Sequence, residues 1–276
     1  MTVPPYVITA AICGAETTRE QTPHLPISAQ ELGEEAAKCR EAGAAMVHLH
    51  VRNPDGTPSQ APELFRAAIR EIRKRCDILV QTSTGGAVGM GVDERCGPLT
   101  LTGEDRPDMA TLTTGTVNFG QDVFWNPRPL VRDIARRIQA LGIRPEIECF
   151  EVGMIDEALI LQKEGLLELP AHYDFVVGVP GAISARPEIV DFMASQLPPG
   201  STYTVAGVGR HQLPLAEYSA GKGAHGRVGL EDNIFLSKGV LAKGSYELVA
   251  AAAVRARSKG REIATPQQAR ELLRLG

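Results

Sequence analysis

Short apolar runs alternate with longer stretches of helical periodicity along the whole 276-residue chain. Residues 6–12 (YVITAAI) are apolar without alternation, which predicts a strand buried on both faces, as in a parallel sheet. Residues 28–43 open with Ser28 and Glu31 in capping-box spacing and close on Gly43, the marks of a helix at both ends. The same alternation predicts strands at 45–51, 77–83 and 108–114, with a helix over 62–75 after the first of them and another over 129–142 after the last. It continues as strand 144–151, helix 154–165, strand 173–179, helix 186–197, strand 201–209, helix 213–223 and strand 225–232. Two terminal helices, 241–260 and 265–276, follow, the second opened by Thr265 as N-cap and Pro266 at the first helical position.

About eight strands, each followed by a helix or a long loop, imply a parallel sheet. Eight such units in this length predict a closed (β/α)8 TIM barrel with extra C-terminal helices, one catalytic domain over residues 1–276. No GxGxxG follows the first strand, which counts against a dinucleotide-binding fold. Glycine clusters after two strands, 83–91 (STGGAVGMG) and 178–182 (GVPGA), read either as tight turns or as backbone approaching a ligand. A net charge of −4 without a basic stripe argues against nucleic acid as a partner. Five scattered cysteines with no C-x-x-C pair argue for buried packing residues in a reducing cytoplasm rather than a disulfide framework. The N-terminal stretch lacks a basic and apolar leader, and no window approaches the roughly 18 apolar residues of a membrane span, so the expectation is a cytoplasmic protein.

Active-site groups of such a barrel lie at the C-terminal ends of its strands. Polar residues collect there: Glu16 after the first strand, His48 and His50 on the second, Thr82, Ser83 and Thr84 ending the third, and Thr111 on the fourth. Glu146 and Glu148 lie on the fifth, and Arg227, Glu231 and Asp232 on and after the eighth. Each has an ordinary structural reading. A lone H-x-H can be a satisfied polar pair, strand-end hydroxyls often cap the next helix, and Glu148 could pair with an arginine such as Arg52 or Arg186.

His48 and His50 are two apart on a strand and so face the same way, half of a metal site. A catalytic zinc takes three protein ligands and keeps a position open. Barrel closure brings the last strand beside the first ones, so Glu231 can reach the histidines and complete a His2Glu set suited to zinc. Asp232 then stands beside the metal as a carboxylate not used in ligation. Read from these residues, a zinc-dependent hydrolase or aldolase needing no coenzyme A remains open.

Seven segments narrow the choice: ITAAICGAETT, HLHVRNPDGTPSQ, QTSTGGAVG, MATLTTGTVNFG, PEIECFEVGM, GVPG and GLEDNIF. In this order they resemble the signatures of the β-keto acid cleavage enzymes. The resemblance implies a zinc-dependent TIM barrel that condenses a β-keto acid with acetyl-CoA to give acetoacetate and a new acyl-CoA. It places zinc ligands on His48, His50 and Glu231, the base on Asp232 and a site arginine on Arg227. Substrate contacts fall on Ser83, Thr111, Glu16 and Glu148. It also implies a homotetramer and an amino-substituted substrate such as 3-keto-5-aminohexanoate, which would yield 3-aminobutanoyl-CoA, as in lysine fermentation.

Overall fold

Eight parallel strands close into a barrel in the computed structural model, which describes residues 3–275. They are β1 (Ile8–Ala11), β2 (Met46–Leu49), β3 (Leu79–Thr82), β4 (Met109–Thr113), β5 (Arg144–Cys149), β6 (His172–Val177), β7 (Thr202–Gly207) and β8 (His225–Val228). Closure runs through β1, which pairs with β2 (Ala11 beside His48) and with β8 (Thr9 beside Arg227). Helices lie between the strands: α1 (Ala29–Ala42) carries the Ser28–Glu31 capping box and ends on Gly43, and α2 spans Pro62–Arg75. Their apolar faces, with those of the later helices, form two cores against the outer side of the barrel. A third, smaller core of Val7, Met46, Leu79 and Met109 plugs the N-terminal mouth, covered by Ala269 of the last helix and by Leu273 just after it.

Several boundaries differ from the sequence reading. The predicted last strand, 225–232, ends at Val228, because Gly229 turns the chain over the edge of β1. The helix read from 241 starts at Ser245, since Val240–Leu241 pairs antiparallel with Phe235–Ser237 in a small hairpin. A second hairpin, Val117–Phe119 with Asp122–Phe124, follows β4 where no element was expected. Between β3 and β4 only a four-residue helix, Val92–Arg95, and two short 3-10 turns connect the strands. The terminal helix spans Pro266–Leu272, and the Gly276 end of its predicted range lies outside the described residues. Among the described residues all five cysteines are free, and no helix is long and apolar enough to cross a membrane.

Candidate active site

The interior of the barrel is polar above its N-terminal plug. Residues two apart on a strand share a face, so the inward set includes His48, Gln81, Thr113, Glu146, Glu148, His172, Asp174 and Arg227. At the C-terminal mouth His48, Glu148 and Arg227 of this set open into a cavity of about 490 Å³. Its lining includes Glu16, Ser83, Arg227 and Asp232 together with the rings of Phe119, Phe124 and Phe150. The three phenyl rings meet edge to face with centroids 6.1–6.3 Å apart.

The loop after β8 is fastened so that Glu231 overhangs the histidines. Glu231 donates its backbone N–H to the Ala11 carbonyl, and its side chain lies across Gly14. A Cβ at Gly14 would come within 2.5 Å of Glu231 Cγ, and the residue has φ +69°, so glycine is required there twice over. Arg52 holds the underside of this platform, donating from Nε (3.1 Å) and Nη2 (2.8 Å) to the Gly14 carbonyl. Gly229, with φ +150°, plays a matching part just after β8, where any Cβ would strike the Ala11 carbonyl oxygen.

This framing brings three donors together. His48 Nε2 and His50 Nε2 lie 3.6 and 3.7 Å from Glu231 Oε1, and ligand atoms from all three residues fall within 4.8 Å of one another. Atoms bound about 2.0–2.2 Å from a tetrahedral zinc are separated by roughly 3.3–3.6 Å, close to the two histidine–glutamate separations. Glu231 Oε2 is buried without a hydrogen-bond partner, a lone pair for which the protein offers no donor. Burial pushes the His50 pKa down to about 4, keeping the ring neutral as a ligand must be. Burial works against an ionised Glu231, but Arg227 and the neighbouring imidazoles outweigh it and draw the pKa down to about 2.

Arg227 organises the acids around this triad. Its Nη2 donates to Glu231 Oε1 at 2.6 Å and to Asp232 Oδ1 at 3.0 Å, while Nε donates to Asp232 Oδ2 at 3.0 Å. Nη1 faces Glu148 Oε1 at 3.5 Å and Asp174 Oδ2 at 3.6 Å. Four carboxyl groups thus share one guanidinium. Burial raises the pKa values of Asp232, Glu148 and Asp174; Arg227 opposes the rise in each, and a neighbouring carboxylate reinforces it. A buried carboxyl above its usual range is a stronger base once ionised.

A model of the β-keto acid cleavage enzyme family matches residues 5–275. The chain belongs to this family. It is 48% identical over 271 residues to the 3-keto-5-aminohexanoate cleavage enzyme of Fusobacterium nucleatum, covering 98% of this chain and 97% of that one. It is 42% identical over 275 residues to the 3-oxoadipate:acetyl-CoA acetyltransferase of Cupriavidus necator, covering 98% and 95%. The solved structure of ObcA in its apo form superposes with a TM-score of 0.80 at 22% identity, over 92% of this chain and 66% of that one, a likeness of fold. As a β-keto acid cleavage enzyme, this protein is an acyltransferase.

Of the site residues read from the sequence, His48, His50, Ser83, Glu148, Arg227, Glu231, Asp232 and Glu16 all line the one cavity. Thr111 does not. Its side chain is fully buried, and its hydroxyl accepts the Thr84 backbone N–H at 3.2 Å, so it shapes the turn beneath the cavity. Glu148 has an arginine partner, but this is Arg227 rather than Arg52 or Arg186, and Thr113 donates to its other oxygen at 2.7 Å. Glu146 sits deeper, 3.2 Å from His172 Nε2. Asp174 and Gln81 escaped the sequence reading. Each is a polar residue with apolar residues beside it on its strand, opposite a residue of the chemical face on the next strand, and that was their available signal.

Proposed function

We propose that this protein is a zinc-dependent enzyme that condenses a β-keto acid with acetyl-CoA, releasing acetoacetate and a new acyl-CoA. The observation that carries the reading is the His48–His50–Glu231 triad with the Asp232–Arg227 pair beside it, all opening into one cavity. Zinc held by the triad would supply Lewis acidity to the keto oxygen and carboxylate of the substrate. Asp232 takes a proton from C2, and Arg227, which donates to both oxygens of that carboxylate, holds it at the cavity and balances the negative charge that develops. C2 attacks the acetyl carbon and expels the CoA thiolate; the thiolate then adds to the original keto carbon. Cleavage of the C2–C3 bond releases acetoacetate, whose C2 recovers the proton, and leaves the rest of the acid as its CoA thioester. Ser83, on the cavity wall with its hydroxyl held toward the Gly85 N–H at 3.0 Å, is placed to bind the acid's head.

The substrate in this reading carries an amino group, as 3-keto-5-aminohexanoate does. Glu16 is exposed on the cavity wall and has no hydrogen-bond or ion-pair partner among the described residues, whereas Glu148 is engaged by Arg227 and Thr113. A free carboxylate at the mouth suits an ammonium on the substrate tail. Relatives at 48% and 44% identity bear the name 3-keto-5-aminohexanoate cleavage enzyme, which supports the same choice. The proposal extends to a cytoplasmic homotetramer serving lysine fermentation, with light scattering as the check on assembly.

Assaying a set of β-keto acids with and without acetyl-CoA, reading acetoacetate, tests the function. Acetoacetate is expected only when acetyl-CoA is present, and breakdown of the keto acid without it would favour a hydrolase or aldolase instead. Within the set, the 5-amino acid should exceed 3-ketohexanoate in kcat/KM by roughly tenfold, the scale of one charge-assisted hydrogen bond. Glu16→Gln should erase most of that preference. A wild type favouring the neutral acid or 3-oxoadipate would reject the amine while leaving the condensation standing.

A further inference from the structure

We infer that Gln81 is a positioning residue for the metal site: its amide fixes the tautomer and the angle of His48, and thereby sets how tightly the triad holds its ion. The inference rests on the metal reading above. β2 and β3 pair in parallel with His48 opposite Gln81, both side chains turned into the barrel and both essentially without exposure. Gln81 Oε1 and His48 Nδ1 are 2.6 Å apart, the shortest polar contact either of the two metal-facing imidazoles makes with the protein.

Which atom donates follows from the surroundings. Gln81 Nε2 points to the Met109 thioether at 3.5 Å, a weak acceptor with no proton to give. Turning the amide over would set Oε1 against that sulfur, leaving a buried carbonyl without a donor. It would also force His48 Nδ1 to accept, moving the ring proton to Nε2, the atom facing Glu231. In the arrangement that satisfies every group, Nδ1–H donates to Gln81 and the Nε2 lone pair faces Glu231 and the cavity. The acceptor on Nδ1 also makes the ring a stronger electron donor at Nε2. His50 has no such partner among the described residues, so His48 is the braced ligand of the pair and His50 the free one.

The experiment measures zinc affinity by competition with a chromophoric chelator in wild type, Gln81→Leu and Gln81→Glu, alongside thermal unfolding of the three metal-free proteins. Leucine has similar bulk but no acceptor, and should weaken zinc binding by about 10- to 100-fold, the usual effect of removing a partner of a ligating imidazole. Glutamate keeps the acceptor and adds charge, and should bind zinc at least as tightly as wild type. This opposite pair of shifts is what a merely structural Gln81 would not produce. Wild-type affinity in Gln81→Leu overturns the inference, as does a tenfold loss in Gln81→Glu, and the glutamate variant decides alone if the leucine variant fails to fold. Absence of zinc binding by wild type itself would instead overturn the metal reading on which the inference depends.

Discussion

Alanine at His48, or at His50, is expected to empty the metal site and stop turnover. Purified wild type should carry about one zinc per chain, and each variant close to none, because a catalytic zinc relies on three protein ligands and these two supply both imidazoles. The loss should be as complete for His50 as for His48, since both Nε2 atoms stand almost equally far from Glu231. The substitutions remove ring atoms that face the cavity and each other, with centroids 5.2 Å apart, so the outer cores between strands and helices are untouched and the barrel should still form. Metal analysis of the purified variants, with circular dichroism to confirm the fold, is the measurement. Full zinc occupancy in both would refute the ligand assignment.

Asp232→Asn should separate chemistry from metal binding. The amide has the carboxylate's shape and leaves His48, His50 and Glu231 in place, so zinc content should stay near wild type. It cannot accept a proton from carbon, and kcat should fall by roughly 10²-fold or more, the scale of a lost general base. The step can be watched directly: in deuterated water without acetyl-CoA, wild type should exchange the C2 hydrogens of the keto acid, and the variant should exchange them slower by a similar factor. Wild-type exchange in the variant would place the base elsewhere. Glu148 is then the first alternative, since it lines the same cavity and shares Arg227 with Asp232.

These two predictions draw on parts of the site that were legible to different degrees. The H-x-H spacing on an apolar strand shows a two-imidazole face without any structure, because side chains two apart on a strand point the same way. That Glu231 meets this face needs only the further premise of a closed barrel, in which the first and last strands adjoin; the structure realises it through the pairing of β1 with both β2 and β8. Helix α1 was legible to its ends, since capping box and terminal glycine act within a few residues of chain. The hairpin that brings Phe119 and Phe124 to the cavity was not, because its strands are three residues each and show no period long enough to read.

Local pattern thus determined the eight barrel strands and most of the helices that follow them, and which side chains share a strand face: period 3.6 or 2, a cap, a glycine or a proline all act over a turn or two of chain. Contacts between side chains on different strands depend on register and on the stagger of the closed barrel, which no single segment encodes. Tertiary structure alone therefore decided that Arg227 gathers Glu231, Asp232, Glu148 and Asp174. It likewise turned Thr111 to the Thr84 backbone instead of the cavity. It set Gln81 against His48 across β2 and β3 as well, because parallel pairing made those two positions neighbours on the inner face of the barrel.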